Sequence, residues 1–159
     1  MPHITVLNGP NLNLLGEREP EIYGATTLPE VEKGCRALAA TLGVDIDFFQ
    51  SNFEGELINW IHAARKSSDA IVINPAGLSF HSIPLLDALK TFDGPIVEVH
   101  ISNIHARDEL HRHSIMSTVA SGVICGMGPF GYSLAMLAAL RKLGPLPVGL
   151  PDGLATLPV

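Results

Sequence analysis

Basic residues, cysteines and long apolar runs are all scarce in this chain, and each scarcity closes off a class of protein. Lysine and arginine number 10 against 16 acidic residues, for a net charge of -6. A polyanion is normally gripped by a basic surface, so nucleic acid is not the expected partner. A small anionic substrate stays open, because one arginine can set the local field. There are only two cysteines, Cys35 and Cys125. Neither sits in a CxxC or Cys/His metal spacing, and both read as buried thiols, one on a helix and one on a strand. No apolar run approaches the roughly 20 residues of a membrane span. The opening MPHITVLNGP lacks a basic segment leading into an apolar one, so no signal peptide is expected and the expected location is cytoplasmic. What is abundant is hydrophobic residue, at 47% of the 159 positions, which argues for a packed single domain and against disorder.

Strand and helix patterns alternate along the chain. His3–Asn8 reads as a strand. Thr27–Leu42 reads as a helix with Leu28, Val31, Leu38 and Leu42 on one face; Thr27 and Glu30 have capping-box spacing, and Gly43 follows its end. Val44–Phe49 alternates apolar and acidic, as an outer strand does. Glu54–Lys66 is a second helix. Ala70–Asn74 is an apolar run suited to a buried parallel strand. Ser82–Phe92 reads as helix, Pro95–His100 as strand, Val119–Cys125 as strand and Gly131–Leu143 as helix. Residues 104–117 form a polar, His-rich loop with a short helix. The tail, residues 144–159, is Pro/Gly-rich and expected to be irregular, leaving 1–143 as the folded domain. This alternation predicts an α/β fold: a five-stranded parallel sheet with helices on both faces, in the flavodoxin-like order 2-1-3-4-5.

Ligands of such sheets bind beyond the carboxyl ends of the strands. The residues there are polar in this chain: Asn8-Gly-Pro-Asn11, Gln50-Ser51-Asn52, Asn74-Pro-Ala-Gly77, and Glu98-Val-His100-Ile-Ser102-Asn103. The first connection, Asn8–Tyr23, is long for a βα loop and carries Arg18 and Tyr23. A phenol, with a pKa of about 10, acts as a base only when that value is lowered, and a guanidinium favours the phenolate. The plain alternative is a surface arginine beside a half-buried tyrosine. Glu98 and His100 stand two apart on a strand and share a face. The carboxylate can orient the imidazole and suit it to act as a general acid; otherwise the two are a packing pair at a strand end. His100, His105, His111 and His113 do not follow a metal-ligand frame, so no metal is expected. Gly126–Gly131 matches G-x-G-x-x-G after a strand, but no second βα unit follows it. The glycines are read as a tight turn and close helix packing rather than a dinucleotide site.

Over about its first 143 residues the chain resembles the type II 3-dehydroquinate dehydratases. The segments that carry the resemblance are NGPNLNLLGEREPEIYG, QSNFEGELINWIH, INPAG, LLDAL, EVHISNIHAR and the GY of PFGY. It implies trans elimination of water from 3-dehydroquinate through an enolate, with no metal or organic cofactor, in trimers assembled into a dodecamer. It implies Tyr23 as proton acceptor, Arg18 as its activator, and His100 as proton donor with Glu98 beside it. Asn11 is implied to hold the enolate through water. Asn74 and the backbone of Ile101 and Ser102 match the carboxylate site, and Asp87 matches a residue that reaches a neighbouring subunit.

Two positions depart from the resemblance. The family's binding histidine, six residues after the asparagine, is Phe80 here, with His81 next to it. The family's usual arginine is His111 here, with Arg112 next to it. His81 is the expected substitute for the first only if a local backbone shift brings it inward, and His111 and Arg112 are both expected at the substrate. Phe cannot hydrogen-bond a hydroxyl, and a neutral imidazole does not replace a guanidinium fork. Three functions are consistent with this pattern: dehydration of 3-dehydroquinate, the same elimination on a related cyclic β-hydroxy ketone acid, or a non-catalytic paralogue.

Overall fold

The structure, a computed structural model, describes every residue except Val148 and Thr156; for Ile22, Tyr23 and Asp152 it describes the backbone alone. The chain runs β1 (His3–Asn8), α1 (Pro20–Tyr23), α2 (Leu28–Leu42), β2 (Asp45–Gln50), α3 (Glu54–Ser67), β3 (Ala70–Asn74), α4 (Ile83–Leu89), β4 (Ile96–His100), β5 (Gly122–Cys125), α5 (Phe130–Leu143) and α6 (Asp152–Ala155). The five described strands form one sheet in the order β2-β1-β3-β4-β5, and every pairing is parallel. This is the expected flavodoxin-like order.

Alternation along the strands divides the core into two layers. Ile4, Val6, Val72, Val97 and Val99 face α2 and α5. Leu7, Ile71, Ile73 and Ile96 face the α3 and α4 side. Side chains two apart share a face, so Glu98 and His100 project to the same side as Ile96. The helix boundaries follow local chemistry. Thr27 caps α2 by accepting from the Glu30 amide at 3.4 Å, and Gly43 ends it in the left-handed conformation at φ 68°. Ser82 lies just outside α4 as its cap, accepting from the Leu85 amide at 3.2 Å.

The structure corrects several expected details. The last strand begins at Gly122 rather than Val119, because Ile115–Thr118 winds into a 3-10 turn that Val119 closes. The short helix expected in the His-rich stretch is absent as such; three 3-10 turns (Ile104–Ala106, Glu109–His111 and Ile115–Thr118) take its place. Cys35 is buried, but Cys125 is only partly so, because β5 is an edge strand with one neighbour. The tail is not wholly irregular: it contains α6, and Leu146 and Ala155 are buried in the α2/α5 layer, joined by a Leu146 amide to Ala155 carbonyl bond of 3.4 Å. Among the described residues no helix is long and apolar enough to cross a membrane.

Candidate active site

The carboxyl ends of β1, β3 and β4 and the loops beyond them enclose a cavity of about 160 Å³. Its polar lining includes Asn11, Arg18, Asn74, His100 and Ser102. Leu12, Leu15, Ala76, Phe80 and Ile104 form its apolar walls. It lies where a doubly wound sheet is expected to hold a ligand.

His100 is the last residue of β4 and only 4% exposed. Its Nε2 is hydrogen-bonded to Glu98 Oε2. Glu98 is fully buried behind it and also accepts from Ser117 Oγ at 2.6 Å. Burial alone would raise the Glu98 carboxyl, but the hydrogen bonds it accepts, led by that of His100, together with the His100 charge hold it below the ordinary glutamate value. The carboxylate thus commits Nε2 of this cavity-lining residue, which leaves Nδ1 as the second ring nitrogen.

Asn74 ends β3 and is locked from two sides. Its Oδ1 accepts from the Ala76 amide at 3.1 Å, and its Nδ2 donates to Tyr132 Oη at 3.0 Å. Tyr132 in turn donates to Asn8 Oδ1 at 2.6 Å, and Asn8 Nδ2 donates to the Phe49 carbonyl. The Tyr132 phenol is fully buried on α5, and burial pushes its pKa far above the usual phenol value, so it stays protonated. Tyr132 was not singled out from the sequence as a site residue. The signal was present, however, as a tyrosine in an otherwise apolar helix face, where a buried hydroxyl demands a partner.

Asn11 stands in the left-handed region at φ 70°, which asparagine tolerates better than most residues. Its amide is held by Asn52 Oδ1 at 2.9 Å, and Gln50 Nε2 bonds both Asn52 Oδ1 and the Gly9 carbonyl. The polar residues after β2 therefore brace the first loop and do not line the cavity. The loop after β4 is braced similarly. The Gly126 amide donates to the carbonyls of His100 and Ser102, and the Gly128 amide to that of Ile101. Gly126 has φ 85°, and a Cβ on Gly131 would come within 3.3 Å of Val99. The glycine motif thus makes the tight turn and close packing read from the sequence.

The remaining expected residues separate into two groups. His111 lines the cavity, and so does Phe80; their rings meet edge to face with centroids 5.6 Å apart. His81 and Arg112 do not line it. His81 is exposed. Arg112 is turned to Glu109, with Nε to Oε2 at 2.8 Å. Both corrections have one cause: each neighbour sits at the end of a 3-10 turn, where successive side chains point about 120° apart. Phe80 and His111 occupy the inward directions. Asp87 is exposed on α4, outside the cavity. The side chain of Tyr23, the expected base, lies outside the described residues; its backbone closes α1 just after Arg18. Arg107 also lines the cavity and was missed, since a lone arginine in a polar loop looks like any solvated charge. Among the described residues no group of three or more His, Cys, Asp or Glu side chains could hold a metal ion.

The model of the family "Dehydroquinase class II" matches residues 2–140. The chain belongs to the class II dehydroquinase family. It is 57% identical over 144 residues to a 3-dehydroquinate dehydratase of Streptomyces avermitilis, covering 89% of this chain and 91% of the relative. It is 49% identical to a catabolic 3-dehydroquinase 2 of Neosartorya fischeri, covering 90% and 95%. The crystal structure of the type II dehydroquinase of Butyrivibrio crossotus superposes with a TM-score of 0.86 at 35% identity, over 87% of this chain and 97% of that one. The family match ends at residue 140, so the tail that carries Leu146 and Ala155 lies beyond it.

Proposed function

We propose that this class II dehydroquinase removes water from 3-dehydroquinate to give 3-dehydroshikimate by trans elimination through an enolate. The observation that carries this is His100 at the cavity, buried and backed by the Glu98 carboxylate. The chain has two tyrosines. Tyr132 is committed to Asn8 and Asn74 as a neutral phenol, and Tyr23, five residues after Arg18 in the chain, is the phenolic base that the family resemblance implies. In the proposed sequence the Tyr23 phenolate takes the proton beside the ketone, and the C–H electron pair moves onto the carbonyl oxygen as the enolate. Asn11 holds that oxygen through water. Collapse of the enolate forms the ring C=C bond and breaks the C–O bond of the β-hydroxyl, which leaves as water after accepting a proton from His100. Asn74 and the backbone of Ile101 and Ser102 hold the substrate carboxylate. No cofactor takes part in this sequence.

We further propose that residues 1–143 are the catalytic domain, and that the protein is a cytoplasmic homo-oligomer of trimers, up to a dodecamer. The exposed Asp87 would then approach a neighbouring subunit's site. A monomer in sedimentation at micromolar concentration would refute the assembly. For the reaction, the test is appearance of the conjugated enone absorbance from 3-dehydroquinate. Tyr23→Phe should abolish turnover with the fold intact, and near-normal turnover in that variant would overturn the mechanism.

One observation favours a second reading, in which the preferred substrate is a related cyclic β-hydroxy ketone acid. The phenyl ring of Phe80 lines the cavity beside His111. A hydroxyl pressed against it would lack a partner, at a cost of about 1–3 kcal/mol. A non-catalytic paralogue is disfavoured, because a binding scaffold has no need of a buried His100–Glu98 pair at its ligand cavity.

A further inference from the structure

His111 lines the cavity from the 3-10 turn Glu109–His111, and its ring is held on two sides. Its Nδ1 lies 2.9 Å and 3.0 Å from the two carboxylate oxygens of Asp108. Phe80 meets the same ring edge to face. Asp108 itself does not line the cavity. It is the cap of the turn, accepting from the Leu110 amide at 2.9 Å, and so its carboxylate is fixed by the backbone it terminates. The hydrogen bond from His111 is the leading cause that holds the Asp108 carboxyl below the usual carboxylate range.

We infer that Asp108 is a positioning residue that makes His111 a hydroxyl-reading subsite of the active cavity. This rests on the proposed reaction only in taking the cavity as the substrate site. A carboxylate can only accept, so Nδ1 carries the proton in both the neutral and charged imidazole. Nε2 is then the one polar ring atom left for a ligand. In the charged ring it donates; in the neutral ring it accepts. An alcohol does both and is bound in either state. A carboxylate or phosphate would be held only by the charged ring, and an ammonium only by the neutral one. From the element packed against the ring, Phe80 contributes no charge. The charged and titratable groups sharing the cavity are Arg18, Arg107 and His100, and on its own turn Asp108 faces it while Glu109 is taken by Arg112 and His113.

The experiment has two arms. In the first, nitrogen-15 NMR of the ligand-free protein reads the His111 tautomer across pH, with His111→Gln to assign the signal. Nδ1 should carry a proton at every pH observed. In Asp108→Ser, which keeps a capping oxygen but loses the reach to the ring, that preference should vanish; Asp108→Asn, which keeps an acceptor, should restore it in part. In the second arm, steady-state kinetics with 3-dehydroquinate should show KM raised about five- to tenfold in Asp108→Ser with kcat little changed, and the KM–pH profile altered. An Nδ1 that is unprotonated in the neutral ring, or a KM and pH profile in Asp108→Ser equal to those of the parent, would overturn the inference. Failure of the parent protein to act on 3-dehydroquinate would sink the proposed reaction instead, and the NMR arm would still decide the role of Asp108.

Discussion

Two imidazoles line one cavity, each backed by a carboxylate outside it, in opposite settings. His100 and Glu98 share a central strand face, with side-chain exposures of 5% and 0%. His111 and Asp108 share a surface turn, at 42% and 61%. The partners are chemically alike, and the surroundings separate their roles. Behind β4 the carboxylate is cut off from water, so its interaction with the imidazole is strong and the pair is rigid. On the turn, solvent screens the charge and the pair works mainly by fixing an orientation. The first arrangement suits the proton donor proposed for His100; the second is enough for the hydroxyl contact proposed for His111.

Removing the buried imidazole should give the largest effect. His100→Ala should lower kcat by about 100- to 10,000-fold, the usual contribution of a positioned acid, with the fold retained by circular dichroism. The corresponding His111→Ala should act mainly on KM. If the two variants lose kcat equally, the division of roles is wrong.

Glu98→Gln sharpens the contrast through stability. The Glu98 carboxyl lies below its ordinary value near 4.5 in the folded protein. A depressed carboxyl contributes stability above its unfolded value, and that stability is lost as pH falls through the folded value. Denaturation against pH should therefore show an acid loss beginning below about 4.5 that is reduced in Glu98→Gln. At neutral pH that variant should be less stable by about 1–3 kcal/mol. Asp108→Asn, on the solvent-screened turn, should change the acid profile much less.

Phe80 and His111 test whether the outer pair is adapted to a less hydroxylated ring. Phe80→His with His111→Arg should raise kcat/KM for 3-dehydroquinate by about tenfold, with the two changes non-additive because the rings touch. No gain, together with a parent kcat/KM of about 10⁴ M⁻¹s⁻¹ or better, would show that the cavity already suits that substrate.

The smallest effect is expected at Tyr132. Tyr132→Phe removes the hydroxyl between Asn8 and Asn74 and should cost about 1 kcal/mol in denaturant unfolding, with a modest rise in KM. A large kcat loss with normal KM would mean that the phenol takes part in chemistry.

The sequence by itself determined the sheet, its order, and the strand ends on which chemistry gathers. Period-two alternation, a cap such as Thr27 and a glycine stop such as Gly43 are local signals, and local signals survive in one dimension. It also placed Glu98 and His100 on one face, because a strand repeats every two residues. Only the tertiary structure decided that Phe80 and His111 turn inward while His81 and Arg112 turn away. A 3-10 turn changes direction by about 120° at each residue, and no periodic pattern marks where such a turn begins. Tertiary contacts also recruited Tyr132 to Asn74, 58 residues away. They gave the tail a buried seat for Leu146 and Ala155, since burial depends on which distant surface stands opposite, and a single chain pattern does not record that.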